Sequence, residues 1–113
     1  MANLTAERVA KNDATFRVAN EQIRERAEEH GPPDTIPFLC ECAREDCTEI
    51  LQLTPAVYEE IRTSGRHFLN APGHDRYDGS EVAVVREAPG YVVVEKQGRT
   101  GALVEALDPR EED

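Results

Sequence analysis

The chain has 113 residues, the size of one domain, and carries 23 acidic against 13 basic residues for a formal charge of −10. That balance repels phosphate backbones, which sets aside broad electrostatic binding to DNA or RNA. No apolar run approaches the roughly eighteen residues a membrane span needs, and Met1-Ala2-Asn3-Leu4-Thr5 lacks the basic and apolar regions of a signal peptide; the sequence reads as soluble and cytoplasmic.

The first element is a helix. Thr5 can cap it, Glu7 and Asp13 suit its positive end, and neither proline nor glycine interrupts it before Gly31 and the Pro32-Pro33 pair. Leu4, Val9, Phe16, Ala19, Ile23 and Ala27 fall roughly on one stripe, the face expected to pack. At 1.5 Å per residue the helix is about 38 Å long, long for this chain. It either lies along the body or projects as an arm to pair with a partner protein or a second copy.

Ile36 to Cys42 (IPFLCEC) reads as extended, since Pro37 disfavours helix and Phe38, Cys40 and Cys42 alternate; Thr48 to Leu53 (TEILQL) alternates as a second strand. Thr54-Pro55 opens a helix with Val57, Tyr58 and Ile61 on its buried face, and Gly65 ends it. Arg66 to Ala71 (RHFLNA) is a short strand and Pro72 to Ser80 a polar loop. Val82 to Val85 and Tyr91 to Glu95 form a hairpin about Ala88-Pro89-Gly90-Tyr91, with Gln97-Gly98 breaking its second strand and a short helix from about Thr100 to Leu107. The fold class is therefore α+β: a long N-terminal helix (1–31), a body (32–107) with a small, mostly antiparallel sheet, a central helix and a zinc-linked hairpin around the cysteines, and an acidic tail (108–113) expected to fray.

The chemistry is concentrated in Cys40-Glu41-Cys42-Ala43-Arg44-Glu45-Asp46-Cys47. On a strand, Cys40 and Cys42 share a face, and the intervening loop lets Cys47 return to them. Three adjacent cysteines suit a disulfide framework poorly and a tetrahedral metal site well. Three soft sulfurs and one nitrogen favour zinc. The fourth ligand is ranked His74, in the Pro72-Gly73-His74 turn, then His67, then His30. Free buried thiols, a redox switch, an iron–sulfur centre, a catalytic zinc with an open position and a Cys47–His74 nucleophile oriented by Asp75 are the competing readings. The acids of DRYDGSE miss the EF-hand ligand pattern.

The segments ERVAKNDATFRVANEQIRERAEE, FLCECAREDCTEILQLTPAVYEEIR, FLNAPGHD and YVVVEKQG, with a terminal DPR, occur in an order that resembles a family of small uncharacterised actinobacterial proteins with a C-x-C-x4-C … PGH pattern. That resemblance implies His74 as the companion of Cys40, Cys42 and Cys47, and it implies no activity. The combined expectation is a non-enzymatic regulatory or adaptor protein with a structural zinc, offering its first helix to a protein partner or a second copy. The alternative is a thiol-based redox or metal sensor built on the same cluster.

Overall fold

The computed structural model describes residues 5–31, 34–42, 44, 46–74 and 82–110. Thr5 has an extended backbone and its hydroxyl accepts the Arg8 amide at 3.1 Å, which starts α1 (Ala6–Glu29). Gly31, at φ +89°, lies just beyond the helix end, where the left-handed conformation is free of a Cβ clash. β1 (Ile36–Leu39) and β2 (Ile50–Leu53) pair antiparallel, Ile36 opposite Leu53, so loop 40–49 carries every cysteine of the chain. Thr54 caps α2 (Pro55–Ile61) by accepting the Val57 amide at 3.2 Å.

The expected sheet and the expected hairpin around the cysteines are separate units. β1–β2 stands apart from a three-stranded antiparallel sheet in the order β3-β5-β4, with β3 (His67–Asn70), β4 (Val82–Ala88) and β5 (Tyr91–Lys96). Pro89-Gly90 turns β4 into β5 with Gly90 at φ +90°, as the proline-then-glycine order predicts. α3 (Gly98–Ala106) closes the chain against α1.

Because side chains alternate across a strand, the central strand β5 serves two apolar clusters. Val93 joins Ile36, Phe38, Leu51, Leu53, Tyr58, Ile61, Leu69 and the first two cysteines; Val92 and Val94 join Ala10, Phe68 and Val104. The Phe38 and Tyr58 rings stack at 4.2 Å within the first cluster. α1 spans both, with Ala10 in the second and Ile23 and Ala27 against the first. The radius of gyration, 13.3 Å, equals the roughly 13 Å of a globular domain of this length, so α1 lies along the body and is no projecting arm.

Two expectations are corrected. The deep face of α1 is Val9, Ala10, Asp13, Ala14, Arg17, Asn20 and Glu21; of the predicted stripe, Val9 is buried, Phe16, Ala19, Ile23 and Ala27 are only half-buried, and Leu4 lies outside the described residues. At 100° per residue that face is rotated by about 90° from the apolar stripe. It turns because its polar groups have partners across the fold: Asp13 is 3.1 Å from Lys96 Nζ, and Arg17 donates to the Gly65 and Val104 carbonyls at 2.7 and 2.8 Å. The Arg17 guanidinium also lies 4.2 Å over the Phe68 ring. The acidic tail does not fray where it begins. Asp108 accepts from Arg62, and Arg110 reaches Glu21 and Glu59 at 3.0 and 2.9 Å; residues 111–113 lie outside the description.

Candidate metal centre

Loop 40–49 leaves β1 with its alternation intact. Cys40 and Cys42 are 2% and 1% exposed, Glu41 between them is fully buried on the opposite face, and Cys47 is half-buried. Two backbone bonds fold the loop onto its neighbours: the Cys40 amide donates to the Glu49 carbonyl at 3.1 Å and the Cys47 amide to the Arg44 carbonyl at 3.2 Å.

The histidine arrives by a turn. Ala71-Pro72-Gly73-His74 has proline second and glycine third, Gly73 sits at φ +87°, and the His74 amide donates to the Ala71 carbonyl at 3.0 Å. Glycine is needed at the third position because a Cβ there would clash at that φ. The turn aims the imidazole back at the cysteines. His74 Nδ1 lies 3.5 Å from Cys40 Sγ and 3.6 Å from Cys47 Sγ, and one donor atom from each of Cys40, Cys42, Cys47 and His74 falls within 4.8 Å of all the others. These four residues lie close enough to hold a metal ion.

The edges carry more information than the proximity. A tetrahedron with zinc-like bonds of about 2.3 Å to sulfur and about 2.0–2.1 Å to nitrogen has sulfur–nitrogen edges of about 3.6 Å. Both edges, 3.5 and 3.6 Å, fit that value, so the four donors are spaced as a tetrahedral metal site requires.

The backbone is also arranged for anionic sulfur. The Ala71 amide donates to Cys40 Sγ at 3.2 Å, the Arg44 amide to Cys42 and the Glu49 amide to Cys47. Each bond favours a thiolate. Among the thiols themselves the charge is shared unequally. A hydrogen bond from Cys40, with the Arg44 amide, His74 and Cys47 assisting, pushes Cys42 down to about 5; the same contact pushes Cys40 up, and burial raises Cys47. The cluster thus accepts one negative charge easily and resists the next. A divalent cation removes that resistance, which couples metal uptake to proton release.

Sequence reasoning missed the layer behind the ligands. The Glu41 carboxylate accepts the Leu69 amide at 2.9 Å and Asn20 Nδ2 at 2.8 Å, and the Glu41 amide donates to the Leu69 carbonyl at 2.7 Å. Asn20 also bridges the Leu39 carbonyl and amide at 2.9 and 2.8 Å, acting as a strand partner supplied by a helix. The signal was an acid in the middle of an apolar, alternating FLCEC run, which must face inward opposite the cysteines. Burial raises the Glu41 pKa above the ordinary carboxylate range, against the Leu69 and Asn20 hydrogen bonds.

The other candidates fall elsewhere. His67 Nε2 faces Glu95 at 3.2 Å on the β3–β5 ladder, and His30 is exposed at the end of α1. Asp75, the orienting acid of a Cys47 nucleophile, and the rest of the DRYDGSE loop (75–81) lie outside the described residues. Among the described residues no helix is long and apolar enough to cross a membrane. Comparison with protein-family models, curated proteins and solved structures gave no match, so the reading of this site rests on its own residues.

Proposed function

We propose that this is a non-enzymatic regulatory or adaptor protein whose loop 40–49 is stapled to the Ala71–His74 turn by zinc held through Cys40, Cys42, Cys47 and His74. The observation that carries this is the pair of equal sulfur–nitrogen edges, 3.5 and 3.6 Å, at one imidazole nitrogen. Four protein donors fill a tetrahedron, the pattern of a structural site; a catalytic zinc keeps one position for water. The staple reinforces a junction between the two small sheets that is otherwise held by side-chain packing and the hydrogen bonds between Glu41 and Leu69, and metal-binding free energy becomes folding free energy. The exposed side of α1 then offers a surface to a partner protein or a second copy. Size-exclusion chromatography with light scattering, alone and with candidate partners, tests that role: a strict monomer that captures nothing argues against it. Cobalt substitution tests the staple, with a closed S3N spectrum expected and a solvent-bearing five-coordinate spectrum contradicting it.

One observation favours a second reading, a thiol-based sensor. Cys47 is half-exposed while its two companions are buried, so an oxidant reaches one ligand first. Under this reading a slight excess of hydroperoxide releases the metal; retention of the metal through that treatment excludes it.

A further inference from the structure

α1 is seated by two unlike sets of contacts, and only one of them depends on the metal loop. Its N-terminal half is held by Asp13 against Lys96, and by Arg17 against the Gly65 and Val104 carbonyls and the Phe68 ring. All of those partners lie on β3, β5, α3 or the α2–β3 turn, none within loop 40–49. From Asn20 onward the contacts change. Asn20 is bound to Leu39 and Glu41, and Ile23 and Ala27 pack against the cluster that contains Cys40 and Cys42. Glu41 sits in loop 40–49 directly between Cys40 and Cys42, so its backbone cannot shift without moving both sulfurs.

We propose that Glu41 and Asn20 couple metal occupancy to the docking of the C-terminal half of α1, so that metal loss loosens residues 20–29 and leaves the N-terminal half in place. The inference rests on the metal reading above and adds how the helix surface responds to it. With the ion removed, the tie between loop 40–49 and the Ala71–His74 turn is cut, and the segment that carries Glu41 is freed. The clamp between Asn20, Leu39 and Leu69 then loses its fixed geometry. Glu21 and Arg24 also tie this half of the helix, to Arg62 and Glu59 at 2.5 and 3.2 Å. Their seat is α2, packed on β1 through the Phe38–Tyr58 stack and held also by Arg110, so these ties are the control for the coupling and not part of it. Coupling of this kind is reciprocal: whatever factor the metal contributes to helix docking, the clamp contributes to metal affinity. Asn20 is a positioning residue in that scheme.

Hydrogen exchange read by mass spectrometry on the intact protein, with one zinc bound and after chelation, tests the proposal, with zinc stoichiometry measured in the same samples. Chelation is expected to speed exchange in 20–29 by at least about tenfold while 9–17 and the β3–β5 ladder stay protected. Unchanged protection of 20–29, or equal loss along the whole of α1, overturns it. Failure to bind zinc at all is a separate result: it removes the metal reading and this inference together, and the stoichiometry identifies it. Asn20→Ala is the second arm. It should weaken zinc binding by about 10–100-fold, as loss of an outer-layer partner does, whereas Arg24→Ala, which cuts ion pairs on the same helix half, should leave zinc affinity unchanged. Equal zinc affinity in parent and Asn20→Ala contradicts the coupling.

Discussion

Two regions of this protein place charge in the core, and they neutralise it differently. In loop 40–49 three cysteines crowd against one imidazole, with amides aimed at each sulfur, in an arrangement that a cation completes. Beneath α1, Lys96 and Asp13 are 1% and 0% exposed and face each other at 3.1 Å, each the other's counter-charge. The first assembly draws on a ten-residue loop and one turn; the second joins position 13 to position 96. The difference teaches which kind of buried charge is replaceable. An ion pair has apolar substitutes of similar volume, whereas a ligand set has none, because its energy comes from a bond to something outside the chain.

The largest effect should follow from Cys42→Ser. Without its full ligand set the variant should hold no metal and lose the ordered Phe38–Tyr58 environment beside the metal loop, seen as weakened near-ultraviolet circular dichroism, while the β3–β5 ladder stays protected. A Cys42→Ser protein as stable as its parent would show that the loop needs no metal. Next is Lys96→Met, which removes a buried counter-charge of the Asp13 carboxylate. Urea denaturation should report a loss of about 3–5 kcal/mol, and Asp13→Leu added to it should recover most of that loss. No recovery in the double variant would mean the pair is held by geometry that apolar groups cannot replace.

A smaller effect is expected at the C-terminal segment. Burial works against the Asp108 carboxylate, but hydrogen bonds from the Arg62 guanidinium and the Arg110 amide, with the Arg17 charge, hold its pKa below the usual range. A lowered pKa means that the stabilisation is present above the unfolded value of about 3.9 and is lost as pH falls through the folded one. Asp108→Asn should cost about 1–2 kcal/mol at neutral pH and leave a flatter acid limb below about pH 4. An unchanged acid limb would detach Asp108 from that dependence. The smallest effect belongs to the exposed Arg99–Glu7 pair at the start of α1; Glu7→Ala should leave the unfolding midpoint where it is.

These contrasts track what was legible in the sequence. The α+β class, the Thr5 and Thr54 caps, the Pro89-Gly90 turn and the hairpin flanking the cysteines all rest on local chemistry, and local chemistry is written in adjacent residues. So was the Cys40, Cys42, Cys47 and His74 set, since spacing and a proline–glycine turn specify where those atoms go. The face of α1 was misjudged because it was read from apolar residues alone, and Asp13, Arg17 and Asn20 are polar. Their partners, Lys96, the Val104 carbonyl and Glu41, come from distant strands and a later helix, and no periodicity announces them. Asp108 and Arg110 were assigned to a loose tail for the same reason: their counter-charges sit on α1 and α2.

Native mass spectrometry of the freshly purified protein, with and without chelator, tests the central claim most directly. The account predicts one zinc per chain and, once zinc is removed, a partial shift to higher charge states as loop 40–49 and the C-terminal half of α1 loosen. A metal-free chain that stays folded with three free thiols, and takes up no zinc when it is offered, would contradict it.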